Sequence, residues 1–172
     1  NPTLLEWLRR PVVYRDDAAA MPRFRALSEA VFSNARGWHH YASMAKKNFR
    51  EHLQADEVRY KKYLYVLRPL LAARWIRTQA GVPPMRFAEL AQRTLDAVHD
   101  AALTEEINAL PAVKMGPGEA ATSPRWPGTH AYIEAELAAH AAEPVTPLPQ
   151  AENAGLDAFL CETVLRIEGG RA

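Results

Sequence analysis

Two stretches of the chain contain lysine and arginine together with aromatic or hydroxyl residues. In each stretch these residues are three or four positions apart, which places them on one face of a helix. Lysine and arginine side chains in such rows are suited to hold a polyanion, such as a nucleoside triphosphate or a nucleic-acid backbone. The first row contains His39, Ser43, Lys46 and Arg50, with Lys47 alongside. The second row contains Lys61, Tyr65, Arg68, Ala72 and Trp75, and Lys62 is next to Lys61.

Two predicted helices position these rows. The first covers residues 35–54, and the second covers residues 59–78 and ends before Gly81 and Pro83. Because only a few residues connect the two helices, we expect them to pack antiparallel, with both basic faces on one groove. From the spacing alone, an ordinary solvated face is the better interpretation of the cations.

Pro69 lies inside the second predicted helix. It has no N–H, so the carbonyl of Tyr65 loses its helical partner, and an uncompensated kink costs roughly 3 kcal/mol. A kink at this point would aim the side chains of Tyr65 and Arg68. The alternative is an ordinary bend in a helix that wraps around a core.

The rest of the chain predicts further helices and no sustained strand. Helical periodicity recurs at residues 3–9, 21–32, 86–98, 104–110, 130–142 and 154–167. The expected fold class is all-α, a bundle of six or seven helices with Pro/Gly-rich connectors in the C-terminal third. We expect residues 1–110 to form one helical domain, and residues 111–172 to contain the connectors and two C-terminal helices.

Composition limits the class of protein. The chain has 172 residues, of which 48% are hydrophobic, enough for one domain with a core. The net charge is +1, so contact with a polyanion requires local clustering of cations. No apolar run approaches the roughly 20 residues needed to span a bilayer, and no membrane partner is expected.

The single cysteine, Cys161, excludes an internal disulfide framework and fits a cytoplasmic location. It lies on the apolar face of the last predicted helix, so we expect it in the core. No catalytic or metal-binding residues are predicted, because the six histidines lack partners at metal-ligand spacing. The glycine-containing stretch at residues 114–119 lacks the phosphate-loop pattern and is interpreted as a connector.

Longer stretches of the sequence resemble a known family. They are NPTLLEWLRRPVVY (residues 1–14), YASMAKKNFREHL (41–53), RYKKYLYVLRPLLAARWI (59–76) and PPMRFAEL (83–90). These stretches are similar to the C-terminal helical part of the predicted nucleotidyltransferases of the DNA polymerase β superfamily, the group linked to RNA-repair gene clusters. The resemblance is strong over about residues 1–95 and weaker beyond them.

The resemblance implies that this chain is one part of an enzyme. In that family a preceding nucleotidyltransferase domain carries a Gly-Ser turn and an Asp-x-Asp pattern, whose carboxylates hold Mg²⁺. This chain contains neither motif, and it begins at Asn1 without a methionine. We therefore expect either a cut from a longer polypeptide or a standalone helical relic of one, and in both cases no bound cofactor and no activity of the chain alone. The expected partners are that domain, a nucleoside triphosphate, and RNA or another hydroxyl acceptor.

The same resemblance implies seven candidate phosphate or acceptor contacts, which are Lys46, Lys47, Arg50, Lys61, Lys62, Tyr65 and Arg68. In related two-domain enzymes a helical second domain closes the cleft over the triphosphate or the acceptor, which favours a functional interpretation of the rows. Two alternatives stay open. One is a non-catalytic interaction module that uses the apolar N-terminal helix as its surface, and the other is a nucleic-acid-binding module.

Overall fold

The computed structural model describes residues 2–14, 16–79, 81–95, 101, 103–107 and 122–169. Its helices are α1 (Pro2–Leu8), α2 (Met21–Ala30), α3 (Asn34–His52), α4 (Tyr60–Gln79), α5 (Phe87–Thr94), α6 (Pro127–Ala142) and α7 (Ala154–Gly169). Residues 103–107 are also helical. Two short strands, β1 (Glu57–Arg59) and β2 (Thr122–Pro124), pair with each other. The described chain is mostly helical, as the periodicity predicts.

The antiparallel pair of α3 and α4 forms the centre of the fold. Ser33 begins α3, because its hydroxyl oxygen accepts a hydrogen bond from the N–H of Arg36 at 3.4 Å. Burying an aliphatic side chain stabilises a fold by about 1.5–3 kcal/mol, and α4 buries several. The largest fully buried side chains of the core include Leu53, Val58, Tyr63, Leu67, Leu70, Leu71, Ile76, Leu90 and Ile133.

A short antiparallel sheet closes the connection between α3 and α4. Val58 of β1 lies opposite Ser123 of β2. Arg125, directly after β2, donates from Nε to the carbonyl of Ala55 and from Nη2 to the carbonyl of Gln54, both at 2.8 Å. The sequence did not predict this sheet, because strands of three residues are too short to show alternation.

Helix α6 packs against α3 and α4, and it begins at Pro127, three residues before its predicted start. Ile133 of this helix is fully buried in the same core. Glu136 is 13% exposed and accepts hydrogen bonds from Arg74 and Arg77 of α4, each at 3.4 Å. Two of the cations on the central helix therefore hold a neighbouring helix in place.

Helix α7 packs on α2 through a narrow contact, in which the rings of Phe24 and Phe159 stack at 5.4 Å. Cys161 is exposed, so the prediction that it lies in the core is wrong. Residues two apart on a helix point about 200° from each other, which turns Cys161 away from Phe159. Leu160 and Leu165 are 61% and 67% exposed. Helix α7 has the predicted apolar face, but α2 covers only one edge of that face.

Candidate polyanion-binding site

A hydrogen bond from α3 compensates for the proline inside α4. Pro69 offers no N–H to the carbonyl of Tyr65, and Asn48 donates from Nδ2 to that oxygen at 2.8 Å. The neighbouring helix thus replaces the helical partner that the sequence analysis expects to be lost. The contact sets α3 against α4 at the level of Tyr65, whose side chain is 49% exposed.

Lys62, His52 and Tyr65 form a cluster at the same crossing. The Nζ atom of Lys62 lies 3.3 Å from Nε2 of His52 and 4.9 Å from the ring centroid of Tyr65. An ammonium group has only donors, so Nε2 of His52 accepts in this contact. Lys61 shares a helical face with Tyr65 and is half-buried. Ammonium groups beside an exposed aromatic ring suit a ligand that carries both a phosphate and a base.

Arg68 connects three segments of the chain. Its Nη1 atom donates to the carbonyl of Met85 at 2.7 Å, and its Nη2 atom lies 3.6 Å from Oε1 of Glu6. The hydroxyl of Tyr41 donates to the same Glu6 oxygen at 3.0 Å. Burial raises the pKa of Tyr41, and the nearby Glu6 carboxylate raises it further, so the phenol remains a donor. The guanidinium of Arg68 therefore has a structural role in this structure.

The cations of α3 lie on another flank of that helix. Lys46 and Arg50 are each two residues from Asn48, so they point about 200° away from the crossing with Tyr65. Lys46 lines a cavity of about 260 Å³ between α3 and α6. Lys47 is 74% exposed and forms an ion pair with Glu51 at 3.8 Å.

The predicted rows are therefore separated in the structure. Lys62 and Tyr65 come together with His52, which the sequence analysis did not select because it lies outside the row that begins at His39. Lys61 lies on the same helical face as Tyr65. Lys46 and Arg50 lie on the flank of α3 that turns away from this cluster. Phosphate or acceptor binding by any of the seven residues stays a prediction.

A second basic site has no counterpart in the predicted rows. A cavity of about 600 Å³ lies between the end of α1, helix α2, the segment after α4 and helix α5. We call it the arginine cavity, after the lining residues Arg9, Arg10, Arg25, Arg86 and Arg93. They come from three separate parts of the sequence, residues 9–10, residue 25 and residues 86–93, so only the tertiary fold brings them together.

The arginine cavity adjoins the face of α4 that carries Lys61, Tyr65 and Arg68. Trp75 continues that face and lines the cavity, and Met85, which Arg68 contacts, lines it as well. The distance from Lys61 to Trp75 along the helix is about 21 Å at 1.5 Å per residue. We call Lys61, Lys62 and Tyr65 the lysine cluster. One side of α4 therefore leads from the lysine cluster to the arginine cavity.

The described residues do not fit the Mg²⁺ ion that the resemblance implies. Mg²⁺ is held by carboxylate oxygens, phosphates and water. In the described part of the chain, no group of three or more histidine, cysteine, aspartate or glutamate residues is placed to hold a metal ion. Both basic sites also repel a divalent cation. No chemical step is therefore assigned to the ion on this chain.

Among the residues that the structure describes, no helix is long and apolar enough to cross a bilayer.

The sequence matches a known protein family. The pattern of the RNA repair pathway DNA polymerase beta family, RlaP, matches residues 1–162, so the chain belongs to that family. The match extends beyond residue 95, where the resemblance noted in the sequence becomes weaker, and it includes α6 and part of α7.

One relative in this comparison is the uncharacterized protein YcgL of Bacillus subtilis strain 168. It is 36% identical over 137 residues, which are 80% of this chain and 52% of YcgL. The chain thus spans about half the length of the curated relative that it matches. No solved structure matches the chain.

Proposed function

We propose that this chain is the helical, nucleotide- or acceptor-facing portion of a cytoplasmic nucleotidyltransferase. The whole enzyme would transfer a nucleoside monophosphate from a nucleoside triphosphate to a hydroxyl acceptor, with RNA as the candidate acceptor. The observation that carries the proposal is membership of an RNA repair pathway DNA polymerase beta family over residues 1–162. The greater length of YcgL leaves room for a nucleotidyltransferase domain in such proteins.

The lysine cluster of α4 supplies the proposed contacts. Lys61 and Lys62 would neutralise phosphate oxygens, and the exposed ring of Tyr65 would stack on a base. The hydrogen bond from Asn48 holds the backbone of Tyr65 in place, which reduces the cost of ordering this residue. Mg²⁺, held by the other domain, would activate the hydroxyl and stabilise the phosphates. The residues of this chain would bind and orient the substrate, and the chain alone would be inactive.

An apolar surface near the beginning of the chain would receive the nucleotidyltransferase domain. Trp7, Val12, Val13 and Tyr14 are 61%, 62%, 54% and 99% exposed. We call these four residues the N-terminal apolar surface. Exposed apolar patches commonly mark interaction sites, and the additional length of YcgL supplies a candidate occupant. The proposal therefore assigns this surface to contact between the two domains.

The test compares the wild-type chain with the Lys61→Ala/Lys62→Ala variant. We expect the variant to bind a nucleoside triphosphate or a short RNA at least about tenfold more weakly, because the loss of even one charge-assisted hydrogen bond of about 1.5 kcal/mol corresponds to a tenfold change. Fluorescence anisotropy with labelled ligands measures the affinity, and circular dichroism checks the fold. Arg166→Ala is the matched control, since Arg166 is 53% exposed on α7 and pairs with Asp17. Equal binding by the lysine variant and the wild type would show that the lysine cluster is not the contact.

Arg68→Ala is unsuitable for this test. The change would remove the hydrogen bond to the Met85 carbonyl and the ion pair with Glu6 together. A loss of binding in that variant would therefore not distinguish a ligand contact from a rearranged segment.

A further inference from the structure

The arginine cavity carries more positive than negative charge. Among the residues that the structure describes, its lining contains five arginines and two carboxylates, those of Glu29 and Glu89. Glu29 pairs with Arg9 at 2.8 Å, and Glu89 pairs with Arg93 at 3.3 Å. Arg25 pairs at 3.2 Å with Asp16, which is not part of the lining. The lining therefore favours an anion.

Two of the five guanidinium groups remain available to a ligand. Arg10 and Arg86 are exposed, and neither side chain makes an ion pair or a hydrogen bond with any residue that the structure describes. They approach the cavity from different segments, one after α1 and one just before α5. Guanidinium groups from separate segments can bind one phosphate from two directions, and each can donate two parallel hydrogen bonds.

The other arginines are held in position by the backbone and by an aromatic ring. Arg9 donates to the carbonyl of Val82 at 3.1 Å, and Arg25 donates to the carbonyl of Leu8 at 3.3 Å. The guanidinium of Arg93 lies 4.7 Å from the ring centroid of Trp75. Side chains that are already ordered lose little entropy when a ligand binds, so the cavity is preorganised.

The size and the remaining walls of the cavity fit a nucleotide better than a lone inorganic ion. A volume of about 600 Å³ is within the usual range of small-molecule sites, roughly 300–1,000 Å³. Apolar side chains, including Leu8, Pro11 and Pro84, complete the lining. A site with guanidinium groups beside apolar walls can hold a phosphate and still cover an attached sugar or base.

We infer that the arginine cavity binds a phosphate-bearing ligand of nucleotide size, either a free nucleotide or a phosphorylated RNA end. Arg10 and Arg86 are the residues that contact the phosphate directly, and Arg9, Arg25 and Arg93 contribute positive charge from fixed positions. The inference uses none of the lysine-cluster residues, so it does not depend on the proposed function.

The experiment titrates the 172-residue chain by calorimetry with three probes: tripolyphosphate, ATP and a short 5′-phosphorylated RNA. The Arg10→Ala/Arg86→Ala variant is expected to lose at least about tenfold in affinity for the probe that binds the wild type most tightly. Arg166→Ala removes a cation from α7 and is expected to change the affinity less than about twofold. Tighter binding of ATP identifies a free nucleotide as the source of the phosphate, and tighter binding of the RNA identifies an RNA end.

A second variant distinguishes direct contact from a structural effect. Glu89→Gln removes an exposed lining carboxylate whose one ion pair within the described part of the chain is with Arg93, four residues on. It should leave the fold intact and increase the affinity for the same probe, because Arg93 loses its competing anion. The inference is overturned if the wild type binds none of the probes. It is also overturned if the double arginine variant binds like the wild type, or if Arg166→Ala reduces affinity as much. Loss of binding in Lys61→Ala/Lys62→Ala alone would support the lysine cluster and count against this cavity.

Discussion

At the scale of single residues, the central helix pair depends on a side chain that no local pattern identifies. Pro69 leaves the Tyr65 carbonyl without a helical partner, and Asn48 supplies one at 2.8 Å. The sequence predicts the missing hydrogen bond, because it follows from proline chemistry. It does not predict the donor, because Asn48 is on another helix and becomes a neighbour only after α3 and α4 have packed.

We predict that Asn48→Ala lowers the free energy of unfolding by about 1–2 kcal/mol, because it leaves the Tyr65 carbonyl without a protein partner. Urea denaturation monitored by circular dichroism measures the change. The matched background is Pro69→Ala, in which residue 69 regains an N–H for this carbonyl. In that background Asn48→Ala should cost less than about 0.5 kcal/mol. An equal cost in both backgrounds would mean that Asn48 acts through some other contact.

Contacts of single residues also explain why α4, a helix of the core, carries so many cations. Arg68, Arg74 and Arg77 each bind a group on a neighbouring segment, and Glu136 alone accepts from two of them. These arginines secure the helices that surround α4. Lys61 and Lys62 are near the beginning of the helix, and the role proposed for them is contact with a substrate.

At the scale of elements, Arg125 joins the two chain segments that meet in the small sheet. Besides the carbonyls of Gln54 and Ala55, its Nη2 atom contacts Oδ1 of Asp56 at 3.0 Å. We predict that Arg125→Ala costs about 1–2 kcal/mol in thermal or urea unfolding, because two carbonyls of the α3–α4 connection lose their donor. Arg125→Lys should recover only part of the loss, since an ammonium cannot reproduce the planar fork. Full recovery by lysine would assign the effect to charge alone.

Helix α6 should make the fold sensitive to mild acid. Burial is the main cause that lowers the pKa of His140 and of His130 below the ordinary value of 6.5. The Nδ1 atom of His140 donates to the Glu136 carbonyl at 2.6 Å, while the cations Arg74 and Arg77 lie nearby. The folded state therefore holds both imidazoles neutral at a pH where the unfolded chain binds protons.

The sign of the effect follows from linkage. Stability from these histidines is fully present above pH 6.5 and is lost as the pH falls below it, by at most about 1.4 kcal/mol per pH unit and group. We predict a falling free energy of unfolding between pH 7 and pH 5, measured by urea titration at each pH. His140→Gln should reduce the slope. The pKa values of Asp17 and Glu162 are lowered from 3.8 and 4.5. The stability that these carboxylates contribute is therefore lost only at pH values below about 4.5, so they do not explain a slope at pH 6. An unchanged slope in His140→Gln would contradict the role of His140.

The elements also show how far the sequence could predict this fold and this site. Periodicity predicts α2, α3, α4 and α7 because each has an apolar side and a terminating signal. It cannot predict whether an apolar side is covered, so the expected burial of Cys161 is wrong. Helical spacing likewise groups Lys46 with Arg50 and Lys61 with Tyr65. It cannot predict how two helices rotate against each other, and that rotation separates the two rows.

At the scale of the whole molecule, the match with this chain covers only 52% of its relative YcgL, and the chain exposes an apolar surface. If a nucleotidyltransferase domain covers the N-terminal apolar surface, Trp7 should be dispensable for the chain alone but important in the longer protein. We predict that Trp7→Ala leaves the melting temperature of the 172-residue chain unchanged within about 2 °C, because its side chain is 61% exposed. In the longer protein the same change should lower the melting temperature and the nucleotidyltransferase activity, since it removes an anchor of the interface.

Leu160→Ala is the matched control for this prediction, because Leu160 is also 61% exposed but is on α7. It should leave the melting temperature of both forms unchanged. Differential scanning calorimetry of the four variant proteins and the two wild-type proteins measures the comparison directly. Equal melting temperatures for wild type and Trp7→Ala in the longer protein would show that the N-terminal apolar surface does not contact the other domain. A loss with Leu160→Ala instead would place the domain contact on α7, and the lysine cluster would then have to face the substrate from a different side of the fold.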